Sequence, residues 1–120
     1  MRMKRILFLE NHPSLLDALL QEFTDLGYQC SGASTSELAL ELLAKERYDA
    51  IIIDPSEDDR VVGTICLSDI LQREYPRIVR IGFSGEYKAR EDPVAQARYK
   101  YIVIKTTGYD EELDSLLKDI

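Results

Sequence analysis

The sequence has no tryptophan, one histidine and two cysteines in 120 residues. Cys30 and Cys66 make neither a disulfide framework nor, at that spacing, a metal site. They read as two buried thiols in a reducing cytoplasm. Glycine and proline are sparse, at 6 and 4 residues, which excludes collagen-like and low-complexity chains. Positive charge is in the minority: 15 Lys and Arg face 22 Asp and Glu, for a formal net charge of −7. A net-acidic chain is a poor non-specific binder of phosphate backbones, so direct nucleic-acid binding is disfavoured. No apolar run approaches the ~18 residues of a membrane span. The basic start Met1-Arg2-Met3-Lys4-Arg5 is followed only by Ile6-Leu7-Phe8-Leu9 before Glu10. That run is too short for the apolar core of a secretory leader.

What is present is one core's worth of apolar residues, 45% of the chain, and a length that fits one domain over residues 1–120. Apolar runs predict strands at Ile6–Leu9, Ala50–Ile53, Ile78–Phe83 and Tyr101–Ile104, with a more polar strand at Tyr28–Ser31. Between them lie helical patterns. The first starts at Pro13, carries Leu15, Leu16, Leu19, Leu20, Phe23 and Leu26, and stops at Gly27. Ser34 and Glu37 have capping-box spacing before Leu38, Leu42 and Leu43. Val61 to Glu74 reads as a third helix, and Glu86 to Lys100 as a weak one limited by Pro93. Asp110 is placed to cap the last, which carries Leu113, Leu116 and Leu117. Alternating strands and helices predict an α/β fold: (βα)5, with a doubly wound five-stranded parallel sheet. Its ligand site belongs beyond the carboxyl ends of the strands.

The residues at those ends are chemically complementary. The first strand leads into Glu10 and Asn11, the third into Asp54, the fourth into Ser84 and the fifth into Lys105. Clustered carboxylates repel unless a cation joins them. Oxygen ligands at a loop mouth suit Mg2+, which keeps several waters. A lysine and a hydroxyl nearby suit a phosphoryl group. The set therefore reads as Mg2+-assisted phosphoryl chemistry with a carboxylate nucleophile. Each residue also has an ordinary reading: a loop cap at Asp54, helix-start residues at Glu10 and Asn11, a turn hydroxyl at Ser84, a surface charge at Lys105. It is the joint pattern that favours a site.

In that arrangement the chain resembles the receiver domain of two-component response regulators. Ile6-Leu7-Phe8-Leu9-Glu10-Asn11-His12-Pro13 is similar to the family's first strand, acidic pair and proline. Asp49-Ala50-Ile51-Ile52-Ile53-Asp54 is similar to the strand leading into its phospho-acceptor aspartate. Ser84-Gly85 and Lys105 stand where the family has its hydroxyl, small residue and lysine. The intervals between these positions are close to those of ordinary receivers, and the likeness covers essentially the whole chain. The resemblance implies a flavodoxin-like fold and a cytoplasmic phosphorelay protein that is not an enzyme. Asp54 would accept a phosphoryl group from a sensor histidine kinase, a phosphotransfer protein or a small phosphodonor. Glu10, Asn11, Asp54 and the Ser56 carbonyl would hold Mg2+. Lys105 would offset phosphoryl charge, and Ser84 would move onto the phosphate. The face formed by the fourth helix, fifth strand and fifth helix would then switch toward an output domain or partner protein. A monomer and a weak homodimer both fit. The chain ends where such a domain would finish, either standing alone or within a longer regulator.

The sequence departs from the family pattern in four places. Asn11 brings an amide oxygen but no charge, so metal affinity should fall. Thr106 replaces the proline after the lysine. A cis bond before a non-proline costs ~2.5–4 kcal/mol, so the Lys105–Thr106 bond is expected to be trans. Ile102 stands where the family carries a switching aromatic, and Tyr101, one residue off, should face the opposite side. The loop after Asp54 holds an extra residue before Gly63, with Asp58 in place of a common proline. Ser56, Glu57, Asp58 and Asp59 read as a solvated acidic loop, with the alternative that Asp58 or Asp59 supplies the charge missing at Asn11. His12 reads as an exposed imidazole, and Tyr99, Tyr101 and Tyr109 as partly buried rather than paving a partner surface. These departures support a second hypothesis: a degenerate receiver that binds partners without phosphate. An aspartate-nucleophile hydrolase would need an acid two residues after Asp54, where Ser56 stands. No Walker or G-x-G-x-x-G loop is present.

Overall fold

Ile6, Leu7, Phe8 and Leu9 are apolar without interruption because β1 (Arg5–Leu9) is covered on both faces, and all four are buried. β3 (Ala50–Ile53) is buried throughout for the same reason. The computed structural model describes residues 3–120; Met1 and Arg2, the start of the basic N-terminus, lie outside the described residues. β2 (Gln29–Ala33), β6 (Val79–Ser84) and β7 (Tyr101–Ile104) complete a sheet ordered β2-β1-β3-β6-β7. Every pairing in it is parallel. Counted as five sheet strands, this is the 2-1-3-4-5 order of the expected doubly wound, flavodoxin-like fold.

Strand alternation divides the core into two layers. Ile6, Phe8, Ile52, Ile81, Phe83 and Val103 pack against α1 (Pro13–Asp25) and α6 (Tyr109–Lys118) through Leu19, Phe23, Leu113 and Leu117. Leu7, Leu9, Ile51 and Ile53 face the other way. They meet α2 (Ser36–Lys45), α4 (Leu67–Glu74) and α5 (Pro93–Arg98) through Ala39, Leu43, Leu67, Leu71 and Ala95. Each large side chain so buried contributes roughly 1.5–3 kcal/mol. Tyr101 packs with the first layer and Ile102 with the second, as their adjacency in a strand requires.

Pro13 opens α1, and Gly27 takes the positive φ of +101° that ends it. Elsewhere the expected boundaries shift. Thr35, not Ser34, caps α2, its Oγ1 accepting the Leu38 N–H at 3.2 Å. Asp110 lies inside the first turn of α6, which starts after Gly108; there it joins Glu111 and Glu112 at the positive end of the helix dipole. The loop after Asp54 contains a single helical turn, α3 (Pro55–Asp58). The expected helix from Val61 is real only from Leu67. Before it, β4 (Val61–Val62) and β5 (Ile65–Cys66) form an antiparallel hairpin around Gly63, at φ +70°. β-Branched Val61, Val62, Thr64 and Ile65 favour extended backbone, and the glycine favours the turn. Glu86 to Lys100 resolves into a 3₁₀ turn, Tyr87–Glu91, and α5, which starts at Pro93 with Asp92 as its cap. Cys30 and Cys66 are free thiols, half-buried rather than buried. Tyr99 is buried, and Tyr101 and Tyr109 are half-buried against the core. Among the described residues, no helix is long and apolar enough to cross a membrane.

One long-range polar contact joins the edge of the sheet to the last helix. The Tyr28 hydroxyl donates to Asp114 Oδ1 at 2.6 Å, and Lys118 pairs with the other oxygen at 3.1 Å. The Tyr28 bond and Lys118 together hold the Asp114 carboxyl below the ordinary aspartate value, against its burial. A depressed carboxyl stabilises the fold above its unfolded pKa and loses that contribution as pH falls through the folded value. Tyr28→Phe keeps the ring on Phe23 and should cost about 1 kcal/mol near neutrality in urea titrations. The gap from wild type should narrow as pH falls below the ordinary aspartate value of 3.8.

Candidate functional site

The carboxyl ends of β1, β3, β6 and β7 bring Glu10, Asp54, Ser84 and Lys105 to one end of the sheet, as parallel pairing demands. Lys105 Nζ donates to Glu10 Oε2 at 2.9 Å and to Asp54 Oδ2 at 2.8 Å. Two carboxylates on neighbouring strands thus share one ammonium, which offsets the repulsion they would otherwise suffer. Glu10 is 2% exposed, and its other oxygen accepts the His12 N–H at 3.3 Å. The lysine also lies 5.3 Å from the centre of the Phe83 ring, a cation–π contact.

Asp54 is the N-cap of α3. Its Oδ1 accepts the Ser56 N–H at 3.0 Å and the Ser56 hydroxyl at 2.8 Å. Burial opposes ionisation of Asp54, but the bonds from Lys105 and Ser56 outweigh it and hold its pKa below the usual aspartate value. Burial likewise works against the charge on Lys105, and the bonds to Asp54 and Glu10 outweigh it, raising the ammonium pKa. The Ser84 side chain is buried at the end of β6, its Oγ accepting the Glu86 N–H at 3.0 Å. Its own proton remains to be donated. Asp54, Ser84 and Lys105 border an open cleft of about 700 Å³ that His12, Ser56, Gly85 and Lys88 also line, while Glu10 is buried behind Lys105.

The remaining sequence candidates lie at the surface. Asn11 and His12 are exposed on the loop between β1 and α1. Ser56 is exposed, with its backbone in α3. Thr106 is exposed beyond Lys105, and no peptide bond among the described residues is cis. Arg90 reaches across β7, donating to the Ile102 carbonyl at 3.4 Å and to Glu112 at 2.9 Å.

The acidic loop is where the sequence misleads. Asp58 is 0% exposed and is neither solvated nor turned toward Asn11. It pairs with Arg80 at 3.0 Å and accepts the Tyr99 hydroxyl at 2.6 Å. Glu57 is 1% exposed, with Arg60 at 3.4 Å. Asp59 does stay at the surface, paired with Arg98. The available signal was an arginine inside an otherwise apolar strand, Ile78 to Phe83. A buried arginine requires an acid, and the loop after Asp54 holds the nearest supply.

No protein-family model matches the sequence, and no curated protein matches it. Solved structures do match. Response regulator protein TrrA from Thermotoga maritima, solved in complex with Mg2+ and beryllofluoride, is 22% identical. That match has a TM-score of 0.77 and covers 98% of this chain and 100% of that one. The signal receiver domain of an HD domain-containing protein from Pseudomonas fluorescens is 24% identical, with a TM-score of 0.74 over 98% and 94%. Chemotaxis response regulator CheY4 of Vibrio cholerae is 18% identical, with a TM-score of 0.78 over 99% and 100%. At these identities the matches establish the fold: the chain has the receiver-domain fold over nearly its whole length.

The shared lysine makes the three charges interdependent. Lys105→Met should lower stability by roughly 1–3 kcal/mol in denaturant titration, because two carboxylates lose their common donor. Adding Glu10→Gln should recover part of that loss, since it removes one of the two repelling charges.

Proposed function

We propose that the chain, as one response regulatory domain over residues 1–120, accepts a phosphoryl group on Asp54 in two-component signalling. The observation that carries this reading is the convergence of Glu10, Asp54 and Lys105 at adjoining strand ends, with Ser84 beside them. A carboxylate kept ionised at the floor of an open cleft is a nucleophile within reach of a donor. The donor is a phosphohistidine on a sensor histidine kinase or phosphotransfer protein. The Thermotoga response regulator is also solved with histidine kinase ThkA, which supports such a partner.

The donor set suits Mg2+. Glu10 and Asp54 already gather around one cation, and Mg2+ uses few protein carboxylates. Glu10, Asp54, the Ser56 carbonyl and the Asn11 amide oxygen would hold the ion. Among the described residues no three His, Cys, Asp or Glu side chains gather as a metal site, so this set rests on two carboxylates. Bound there, Mg2+ supplies positive charge toward the phosphoryl oxygens.

An Asp54 oxygen attacks phosphorus, the P–N bond breaks as the P–O bond forms, and the imidazole nitrogen leaves with the electron pair. Lys105 donates to a phosphoryl oxygen, which offsets developing charge. Ser84 turns its hydroxyl proton to another oxygen, and Gly85, with no side chain, leaves the approach open. On this reading the chain is a regulatory phospho-acceptor and not an enzyme in the ordinary sense. Phosphate then shifts a two-state face that an output domain or partner protein reads. The setting is cytoplasmic, the domain contacts no nucleic acid directly, and monomer and weak homodimer are both compatible. A second reading, a partner-binding module independent of phosphate, draws on Lys105 already satisfying both carboxylates, and on Asn11, Ile102 and Thr106.

Amide NMR with Mg2+ and beryllofluoride separates the two. Shifts at Asp54, Ser84 and Lys105 that need Mg2+ and vanish in Asp54→Ala support the phospho-acceptor. No change at millimolar Mg2+ supports the phosphate-independent module.

A further inference from the structure

Asp58, Arg80 and Tyr99 form a buried cluster that the phosphoryl chemistry above does not use. Asp58 Oδ2 accepts from the Arg80 guanidinium at 3.0 Å and from the Tyr99 hydroxyl at 2.6 Å. Arg80 donates as well to Ser68 Oγ at 2.9 Å, and its guanidinium carbon lies 5.6 Å from the Tyr99 ring centre. The four side chains come from α3, β6, α4 and the end of α5. A buried charge persists only with its partners in place, so the positions of these segments depend on one another.

The cluster is joined to Asp54 by one turn of helix. Asp54 opens α3 as its N-cap, and Asp58 closes it. A substituent on Asp54 competes with Ser56 for the capping carboxylate, so the change is felt along Pro55–Asp58. At the far end Asp58 holds the Tyr99 hydroxyl. Tyr99 is in turn the C-cap residue of α5 and leads into β7. Its ring lies directly on Gly82, where a Cβ would come within 2.9 Å of it, so the ring cannot sink toward the sheet. This linkage ends on the α5–β7 segment without passing through Ser84 or Ile102.

We propose that Asp58, with Arg80 and Tyr99, is a positioning residue that fixes the acceptor turn and couples it to α5 and β7. The positioning half stands without phosphate. The coupling half rests on Asp54 being the phospho-acceptor.

Tyr99→Phe tests both halves, since it keeps the ring over Gly82 and removes only the hydroxyl bond. Without ligand, amide hydrogen exchange at residues 56–58 should quicken about tenfold, the size of one lost hydrogen bond, while α1 and α2 are unchanged. Tyr28→Phe, which also loses a hydroxyl bond to an aspartate, should leave exchange at 56–58 as in wild type. Unchanged exchange at 56–58 in Tyr99→Phe, or the same acceleration throughout the chain, overturns the positioning role. With Mg2+ and beryllofluoride, wild type should shift amides at Asp54 and at Val94–Tyr101 together. Tyr99→Phe should keep the shifts at Asp54 and Lys105 and lose more than half of those at Val94–Tyr101. Full retention at Val94–Tyr101 overturns the coupling. A wild-type chain with no shift at Asp54 overturns the phospho-acceptor reading and the coupling with it, while exchange at 56–58 still decides the positioning role.

Discussion

Parallel strands cannot be joined by tight turns, and the rest of this molecule follows from that constraint. Each strand must be followed by a crossover that returns the chain to the same edge, so all five strands end on one side. Helices laid over both faces make the central strands largely apolar, Arg80 within β6 excepted, and polar residues gather where those strands stop. Glu10, Asp54, Ser84 and Lys105 are those stopping points. Residues up to 95 positions apart in sequence meet there because the sheet leaves them nowhere else to go.

The meeting is electrostatically self-consistent before any ligand arrives. Lys105 bridges Glu10 and Asp54, the Ser56 amide and hydroxyl support Asp54, and the His12 amide supports Glu10. The network leaves Asp54 ionised despite its burial and ties the last strand to the first and third. Asn11 matters for what it withholds. Two carboxylates already outnumber the one ammonium, and a third would add to that excess negative charge, whereas an amide adds an oxygen without that cost.

How legible this was in the sequence varied with the distance over which a residue's role is decided. The buried strands could be read directly, because covering both faces demands uninterrupted apolar runs such as Ala50–Ile53. The strand-end residues were legible once those runs were placed. Local ambiguity defeated the Val61–Cys66 hairpin, whose apolar residues happen to fit helical spacing as well as extended pairing. It also moved the α2 cap by one residue, from Ser34 to Thr35, two adjacent hydroxyls of similar capping strength. Asp58 failed for a different reason. Its burial is set by Arg80 and Tyr99, 22 and 41 residues away, and a run of acids beside Pro55 looks like surface until those partners are seen.

The ring of Tyr99 on Gly82 has a consequence for how such a sequence can be altered. The aromatic is tolerable only over a position without a Cβ, and Asp58 keeps its hydroxyl donor only while the aromatic is there. Positions 58, 82 and 99 are therefore not independent letters. A Cβ at 82 would press on the Tyr99 ring, and loss of the Tyr99 hydroxyl would remove one of the two donors to Asp58 Oδ2. Loss of the Asp58 carboxylate would in turn leave the Arg80 guanidinium buried with only the Ser68 hydroxyl. A change at any of the three positions therefore reaches the others, although they lie between residues 58 and 99.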